Sequence, residues 1–262
     1  MSFGIGQEVN EELVNQQGVY GNVSNKYIIT PTQDIITELN KYHGFKPVGY
    51  SEARVRKQEK HNYQKHMVML EAEDSQMFDG KLRIVLFNSN DRSTSIRMYL
   101  GYYRDACAND CVFGDDLMKP IMIKHTNQSW RDSVATLASG YLEAKEKTEA
   151  MIDSMLNKRL SYGDIYRLTE RVSENIWKGS GKILDHTQLN NAYREEDVGK
   201  DLWHTYQRLQ GNLLKGGVDR VITHVDDAGK IMKAISKTHK VTDVSEQIRL
   251  NKILHETCLQ VA

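Results

Sequence analysis

HMVMLEAEDSQMFDGKLRIVLF, residues 66–87, contains two apolar runs separated by a polar stretch. The runs HMVML at 66–70 and KLRIVLF at 81–87 have the length and the apolar content of well-buried β-strands. Asp79-Gly80 lies directly before the second run and is a turn signal. This stretch therefore predicts two consecutive strands of a sheet.

Further strand signals lie on both sides of this stretch. An extended segment begins at 45–50, and Ile96–Leu100 alternates apolar with polar residues after a Ser-rich turn. Residues 121–123, IMI, form a last short apolar run. The connections are short, so we expect about four to six mostly antiparallel strands.

Helical signals enclose the strands. Thr30 is suited to cap a helix, and Pro31 is suited to its first turn. We expect this helix to end at Gly44. From Ser129 the apolar residues follow helical spacing as far as about residue 160. Three further helices are expected: one over 165–177, one over 202–213 closed by Gly216-Gly217, and one that Asp243 and Glu246 begin with a capping box.

These signals predict an α+β fold. An antiparallel β-sheet with a preceding helix occupies the N-terminal half, and long helices occupy the C-terminal half. We expect three parts, namely an irregular N-terminal arm (1–29), a β-rich domain (30–127) and a helical region packed on the sheet (128–262).

Composition limits the possible locations and partners. The 262 residues include 35 basic and 35 acidic residues, so nucleic-acid binding requires local segregation of charge. Three cysteines suit no closed disulfide framework and favour reduced thiols. No secretory signal is visible, and no apolar run approaches the roughly 18 residues of a membrane span. We expect a cytoplasmic protein without membrane contact, in the host cell if a phage encodes it.

Lys46–Lys65 is a basic segment with interleaved aromatic residues. It holds six Lys and Arg against two Glu, so six minus two gives four net positive charges. Cations bind phosphates and aromatic rings stack on unpaired bases, so we expect one electropositive groove. The predicted contact residues are Arg54, Arg56, Lys57, Lys60, Lys65, Tyr50, Tyr63, Arg83, Arg92, Arg97 and Arg104.

Two other interpretations of these charges remain open. They are equally typical of a solvated hairpin surface, and an acidic protein partner is a further possibility. On alternating strands, Arg83 and Arg97 are expected to share an exposed sheet face.

Other chemical motifs are weak. Asn88–Asp91 suits a tight structural turn better than a catalytic or metal site, although Asp91 is a candidate for either. Cys107 and Cys111 are four apart, with His125 as the nearest further ligand and no obvious fourth, so free thiols are favoured over zinc. KGSGKI at 178–183 lies between helices, whereas a phosphate-binding P-loop follows a strand. The sequence identifies no catalytic residue, metal site or cofactor.

Four phrases of the chain resemble a family of phage- and plasmid-borne proteins, catalogued as domain of unknown function 932. They are TPTQDIITELNKYHGFKPV, SEARVRKQEKHNYQKHMVML, LFNSNDRSTSIRMYLGYYRDACAND and IKHT. Members of that family usually have Asn-Ser-His-Asp, then Gly, Arg and Cys-x-Asn. This chain has Asn90 in place of that histidine, followed by Gly101, Arg104, Cys107 and Asn109. The departure at Asn90 counts against an enzyme.

The order helix, strands, long helix is also similar to phage single-strand annealing proteins, which assemble into rings or filaments. This likeness rests on element order alone. It implies binding to single-stranded DNA and self-association.

The favoured function is therefore a non-enzymatic protein of phage or plasmid DNA metabolism. It would bind, and in one version anneal, single-stranded DNA during recombination or replication, as an oligomer and beside phage or host replication proteins. Two alternatives stay open: a factor that modulates a host or phage machine without DNA contact, and a metal-dependent nuclease.

Overall fold

The computed structural model describes residues 8–104, 121–178, 180–225 and 229–261. Two compact units divide the chain, Met1–Thr148 and Glu149–Ala262. Within the described ranges, no helix combines the length and the apolar character that crossing a membrane requires.

The N-terminal arm is anchored on its own unit. Helix α1 (Glu11–Val14) buries Leu13 and Val14 completely. Further along, the Tyr20 amide donates to the Asn90 carbonyl at 2.8 Å. Apart from α1, residues 8–29 contain no further helix or strand.

Helix α2 (Thr32–His43) comes next and ends at Gly44, whose φ of 63° is the left-handed conformation that glycine adopts at low cost. The expected cap at Thr30 was wrong, since Pro31 occupies the N-cap position without a side-chain hydrogen bond. Thr32 Oγ1 lies 2.6 Å from His66 Nε2 and joins the helix to the sheet.

The first unit is built on a five-stranded antiparallel sheet, which confirms the predicted α+β class. In the register of the strands, His66 lies opposite Asn88, and Arg83 lies opposite both Glu71 and Gly101. The strands, in spatial as in chain order, are β1 (Lys46–Glu52), β2 (His66–Met77), β3 (Gly80–Asn88), β4 (Ile96–Arg104) and β5 (Ile121–Ile123).

The predicted long helix after the sheet is two consecutive helices. Gly140 separates α3 (Trp130–Ser139) from α4 (Tyr141–Asn157). The α-helical hydrogen bonds nevertheless continue, from Gly140 N to Thr136 O and from Ala144 N to Gly140 O.

These helices pack on the sheet unit through aromatic residues. The Tyr141 hydroxyl donates to the Leu82 carbonyl at 3.3 Å, and the Tyr141 ring meets Phe45 edge-on at 5.1 Å. The core of this unit is apolar. Its almost fully buried side chains include Ile35 and Leu39 of α2, Val68 and Leu70 of β2, and Ile84 and Leu86 of β3.

The second unit contains a sheet that the sequence analysis did not predict. Its three strands are antiparallel in the order β6-β7-β8. The predicted helices are present, with Ser161 and Asp164 forming a capping box and Asp243 capping the last helix. The elements are α5 (Tyr162–Ile176), β6 (Lys182–Leu184), α6 (His186–Leu189), α7 (Leu202–Lys215), β7 (Asp219–Val225), β8 (Ile231–Lys237) and α8 (Val244–Leu259).

Candidate nucleic-acid interface

The predicted basic segment begins as strand β1, and its remaining residues, 53–65, form a loop that leaves the sheet after β1 and returns at β2. Its two ends are held together by the Ala53 amide, which donates to the Lys65 carbonyl at 2.8 Å. A short 3₁₀ turn, Gln58–Lys60, shapes the middle of the loop. Because both ends belong to a paired strand, the position of the loop is fixed by the sheet.

Five predicted cations of this loop line one cleft of about 460 Å³. Asp91 is the one carboxylate of the lining, so five minus one gives a formal charge of four. The lining residues are Ala53, Arg54, Val55, Arg56, Lys57, Lys60, Gln64, Lys65, Asp91 and Ser93.

Two of the five cations have contacts within the protein. Lys60 Nζ lies 3.6 Å from Asp91 Oδ2 and 5.2 Å from the centre of the Tyr20 ring. Lys65 Nζ lies 5.4 Å from the centre of the Phe87 ring. These contacts hold both ammonium groups at the cleft, in the range of cation–π attraction.

The other three cations, Arg54, Arg56 and Lys57, are exposed. Among the residues that the structure describes, none of them has an ion-pair partner. Their donors are therefore available to an external anion, whereas a cation already paired with a carboxylate has to exchange one partner for another.

Asp91 remains charged beside these cations. Burial by itself would raise the pKa of its carboxyl, but hydrogen bonds from Ser93 and the charge of Lys60 outweigh burial and lower that pKa. The Ser93 amide donates to Asp91 Oδ1 at 3.0 Å, and the Asp91 side chain is only 8% exposed. Asp91 therefore orients Lys60 at the edge of the cleft.

The turn that carries Asp91 is structural. Asn88, Ser89 and Asn90 are completely buried. The Asn88 amide donates to the Thr30 carbonyl and to Thr32 Oγ1, and Ser89 Oγ exchanges hydrogen bonds with the backbone of Thr94. No group of three or more His, Cys, Asp or Glu in the described ranges is placed to hold a metal ion.

Aromatic residues lie beside the cleft, and one of them was not predicted. Tyr63 is half-buried in the loop, and its ring centre is 6.2 Å from that of Tyr20 in the N-terminal arm. The sequence does not reveal the position of Tyr20, because an irregular arm has no periodicity that shows which side chain meets the loop. Gln64 and Ser93 likewise carry no charge signal that would identify them.

Tyr50 does not reach the cleft. It is 4% exposed, and its hydroxyl donates to Glu52 Oε2 at 2.7 Å. Burial, then the hydrogen bond to Glu52, raise the pKa of this hydroxyl. Tyr50 is therefore a packed residue of β1 and has no ring face open to a base.

The prediction that all cations between residues 46 and 104 form a single groove was wrong. Arg83 and Arg97 do share a sheet face by register, but that face is not exposed at Arg83, which is 7% exposed and bonded to Glu71 at 2.8 Å. Arg104 is 4% exposed and pairs with Asp79.

The remaining predicted cations have other local partners. Lys46 pairs with Glu73 at 3.0 Å, and Arg92 donates to the Asn22 carbonyl at 2.8 Å. Arg97 Nε lies 3.5 Å from Ser95 Oγ.

Cys107, Asn109 and Cys111 lie outside the described residues, and Cys258 is a buried free thiol.

Comparisons with known proteins give a family but no activity. The family model described as "Domain of unknown function (DUF932)" matches residues 19–252. Over 236 residues the chain is 27% identical to the UPF0380 protein YfjQ of Escherichia coli (strain K12), covering 88% of this chain and 81% of the relative. The UPF0380 protein YafZ of the same organism is 27% identical over 235 residues, with the same coverage. No solved structure matches the chain.

Proposed function

This chain is a member of the DUF932 family, and on that premise we propose that it binds single-stranded nucleic acid through the cleft of the β1–β2 loop. The observation that carries the proposal is the convergence of Arg54, Arg56, Lys57, Lys60 and Lys65 on one cleft with a single carboxylate.

The physical basis is the attraction of a phosphate backbone to clustered cations. Each phosphate that a Lys or Arg neutralises releases condensed counterions, which favours binding at low salt. The exposed cations Arg54, Arg56 and Lys57 lose no internal ion pair when they bind phosphate. Arg83 and Arg104, which are buried and paired, are not part of this proposal.

A single strand suits the site better than a duplex. Unpaired bases expose faces that stack on aromatic rings, at a gain of about 1–3 kcal/mol per base. Tyr63 and Tyr20 lie next to the cations and supply such rings, whereas Tyr50 does not. Lys60 lies over one face of the Tyr20 ring, so the half-buried Tyr63 ring is the better candidate for stacking on a base.

We further propose that the cytoplasm is the site of action, in the DNA metabolism of a phage or plasmid. Asp91 has no second carboxylate in the cleft lining, so no observation favours the nuclease alternative. Annealing and self-association are further steps that binding alone does not require.

Fluorescence anisotropy with labelled oligonucleotides tests the proposal. We expect the wild-type protein to bind a single strand more tightly than a duplex at low salt. The variant R54Q/R56Q/K57Q removes three charges and is expected to weaken single-strand binding at least about tenfold, since each lost phosphate contact costs affinity.

A matched control removes three charges elsewhere in the same unit. Lys41, Lys46 and Lys147 are exposed and already paired with Glu38, Glu73 and Glu143. K41Q/K46Q/K147Q is expected to retain single-strand binding within about twofold, because surface ion pairs contribute little. Equal losses in both variants, or no binding at low salt, would overturn the proposal and leave the protein-interaction alternative.

A further inference from the structure

A second concave site lies wholly within the second unit. Its volume is about 470 Å³, in the range of small-molecule sites. The start of α5, the loop before α7 and one side chain of α7 enclose it. The lining residues are Leu160, Ser161, Tyr162, Ile165, Asn190, Ala192, Val198, Gly199, Lys200 and Arg208.

Arg208 is a buried cation in this lining, with 5% of its surface exposed. Its guanidinium donates to four neutral oxygens, which are Asn190 Oδ1 at 2.9 Å, the carbonyls of Asp197 and Gly199 at 2.7 and 2.8 Å, and Thr205 Oγ1 at 3.0 Å. An arginine has five N–H donors. One N–H of Nη2 therefore has no acceptor among the residues that the structure describes.

No carboxylate is hydrogen-bonded to this guanidinium in the described part of the chain. The two carboxylates whose charges act on Arg208 have other contacts. The carboxylate of Asp201 accepts a hydrogen bond from the His204 amide at 2.9 Å, and Asp197 Oδ2 lies 3.9 Å from Arg194 Nη1. Burial lowers the pKa of Arg208, although the charges of Asp201 and Asp197 oppose that effect. A buried cation without a bonded anion is costly, and an anionic ligand would offset this cost.

Lys200 adds a second cation at the exposed side of the pocket, and the lining includes no acidic residue. The rest of the lining is largely apolar. Leu160 and Ile165 are nearly buried, whereas Tyr162 and Val198 are 83% and 69% exposed. Large apolar side chains that remain this exposed beside a concave site are typical of a surface that a ligand covers.

We propose that this pocket binds a small organic anion with a flat or branched apolar body, such as an aromatic carboxylate. The anionic group pairs with Arg208 and Lys200. The apolar body packs on Leu160, Ile165 and Val198. This site is separate from the cleft of the β1–β2 loop, so the two proposals stand or fail independently.

Two fluorescent probes of almost the same shape test the charge requirement. 1-Anilinonaphthalene-8-sulfonate is an apolar aromatic anion, and N-phenyl-1-naphthylamine lacks its sulfonate. We expect one saturable site for the anionic probe on the folded protein. The neutral probe is expected to bind about tenfold more weakly, since hydrogen bonds between charged groups are the strong ones.

Variants of exposed lining residues locate the probe without disturbing the core. V198E and K200E are each expected to weaken binding of the anionic probe at least about fivefold, because each places a negative charge at the pocket. Y166A is the control, since Tyr166 is 43% exposed on α5 and outside the lining. Unchanged thermal melting shows that the folded state is being compared.

Four outcomes would overturn this proposal. The first is the absence of saturable binding by the anionic probe, and the second is equal binding of both probes. The third is binding of the anionic probe that V198E and K200E leave unchanged. The fourth is a concentration-dependent dimer that V198E dissociates, because a second copy of the chain would then cover the pocket.

Discussion

The imidazole of His66 is one link in a buried chain of hydrogen bonds. The Asn88 amide donates to Thr32 Oγ1 at 3.0 Å, and Thr32 Oγ1 lies 2.6 Å from His66 Nε2. On the other side, His66 Nδ1 lies 3.1 Å from the Gln64 carbonyl, to which it can only donate. With Nδ1 as donor and Nε2 as acceptor, the ring is neutral. Burial lowers the pKa of His66 to about 4.

This lowered pKa makes stability depend on pH. The ordinary histidine pKa is 6.5. Between pH 6.5 and about 4, the unfolded chain therefore binds a proton at His66 that the folded protein does not, and the free energy of unfolding falls as pH drops. The loss from this residue is at most on the order of 3 kcal/mol. His125, whose pKa burial also lowers, adds to it with the same sign.

His66→Gln removes the contribution of His66 and leaves that of His125. We expect a shallower fall in the free energy of unfolding across this pH window, measured by urea denaturation at several pH values. An identical slope in the variant would show that His66 has the same pKa in the folded and the unfolded chain, which would contradict the lowered pKa.

Asp91 distinguishes binding from catalysis at the cleft. D91N removes the one negative charge of the lining and retains an oxygen acceptor for the Ser93 amide. Because Asp91 is ionised in the folded protein, we expect single-strand affinity to rise about twofold to fivefold, as one opposing charge disappears. Anisotropy titration measures this change. A loss of divalent-ion-dependent strand cleavage in D91N would instead identify a nuclease.

At the scale of elements, Gly80 decides how closely β3 and β4 approach. A Cβ at this position would lie 2.2 Å from the Tyr103 carbonyl oxygen and 2.8 Å from the Arg104 Cα. Backbone atoms of a paired strand cannot yield locally, so G80A is expected to lower the free energy of unfolding by about 2 kcal/mol or more.

Gly163 is the matched control for this substitution. A Cβ there would meet its nearest atom at 3.7 Å, in the first turn of α5. G163A is therefore expected to leave stability unchanged or to raise it by up to about 1 kcal/mol. Urea denaturation compares the two variants. Equal stability of both would contradict the close approach of β3 and β4.

The sequence predicted the elements whose signals are local. The apolar runs of β2 and β3, the Asp79-Gly80 turn and the ends of α2 and α7 at glycines are all present. Strands β7 and β8 were missed although Val221, Thr223 and Val225 alternate. This alternation is short and polar residues interrupt it, so it is a weak signal beside the strong helical periodicity of the same region.

Part of the candidate site was predictable because its signal is also local in the sequence. The loop cations are close together in sequence, so their convergence follows once β1 and β2 pair. Arg83 is neutralised by a carboxylate 12 residues away and Arg104 by one 25 residues away. Such pairs depend on strand register, which composition does not reveal.

At the scale of the whole molecule, the expected domain boundary at 127/128 lies before the division of the chain into units. The first unit extends to Thr148 because α3 and the start of α4 pack with the sheet and α2. His43 Nε2 lies 3.0 Å from the Ala138 carbonyl, and Tyr141 contacts both Phe45 and Leu82. A change of hydrophobic period therefore marks a change of secondary structure but not the end of a packed unit.

The neutral net charge is likewise a property of the whole chain and not of its surfaces. The 35 basic and 35 acidic residues cancel overall, while the cleft alone carries four net positive charges. Association with a phosphate backbone should therefore depend on salt through the cleft, because exposed charges act over only about 10 Å at 0.1 M salt.

The salt dependence of single-strand binding tests this central claim most directly. If all five cleft cations meet phosphates, the logarithm of the association constant should fall against the logarithm of salt concentration with a slope of about −3.5. R54Q/R56Q/K57Q should reduce the slope to about −1.4, while K41Q/K46Q/K147Q should leave it unchanged. A wild-type slope near zero, or the same slope in all three proteins, would contradict the account.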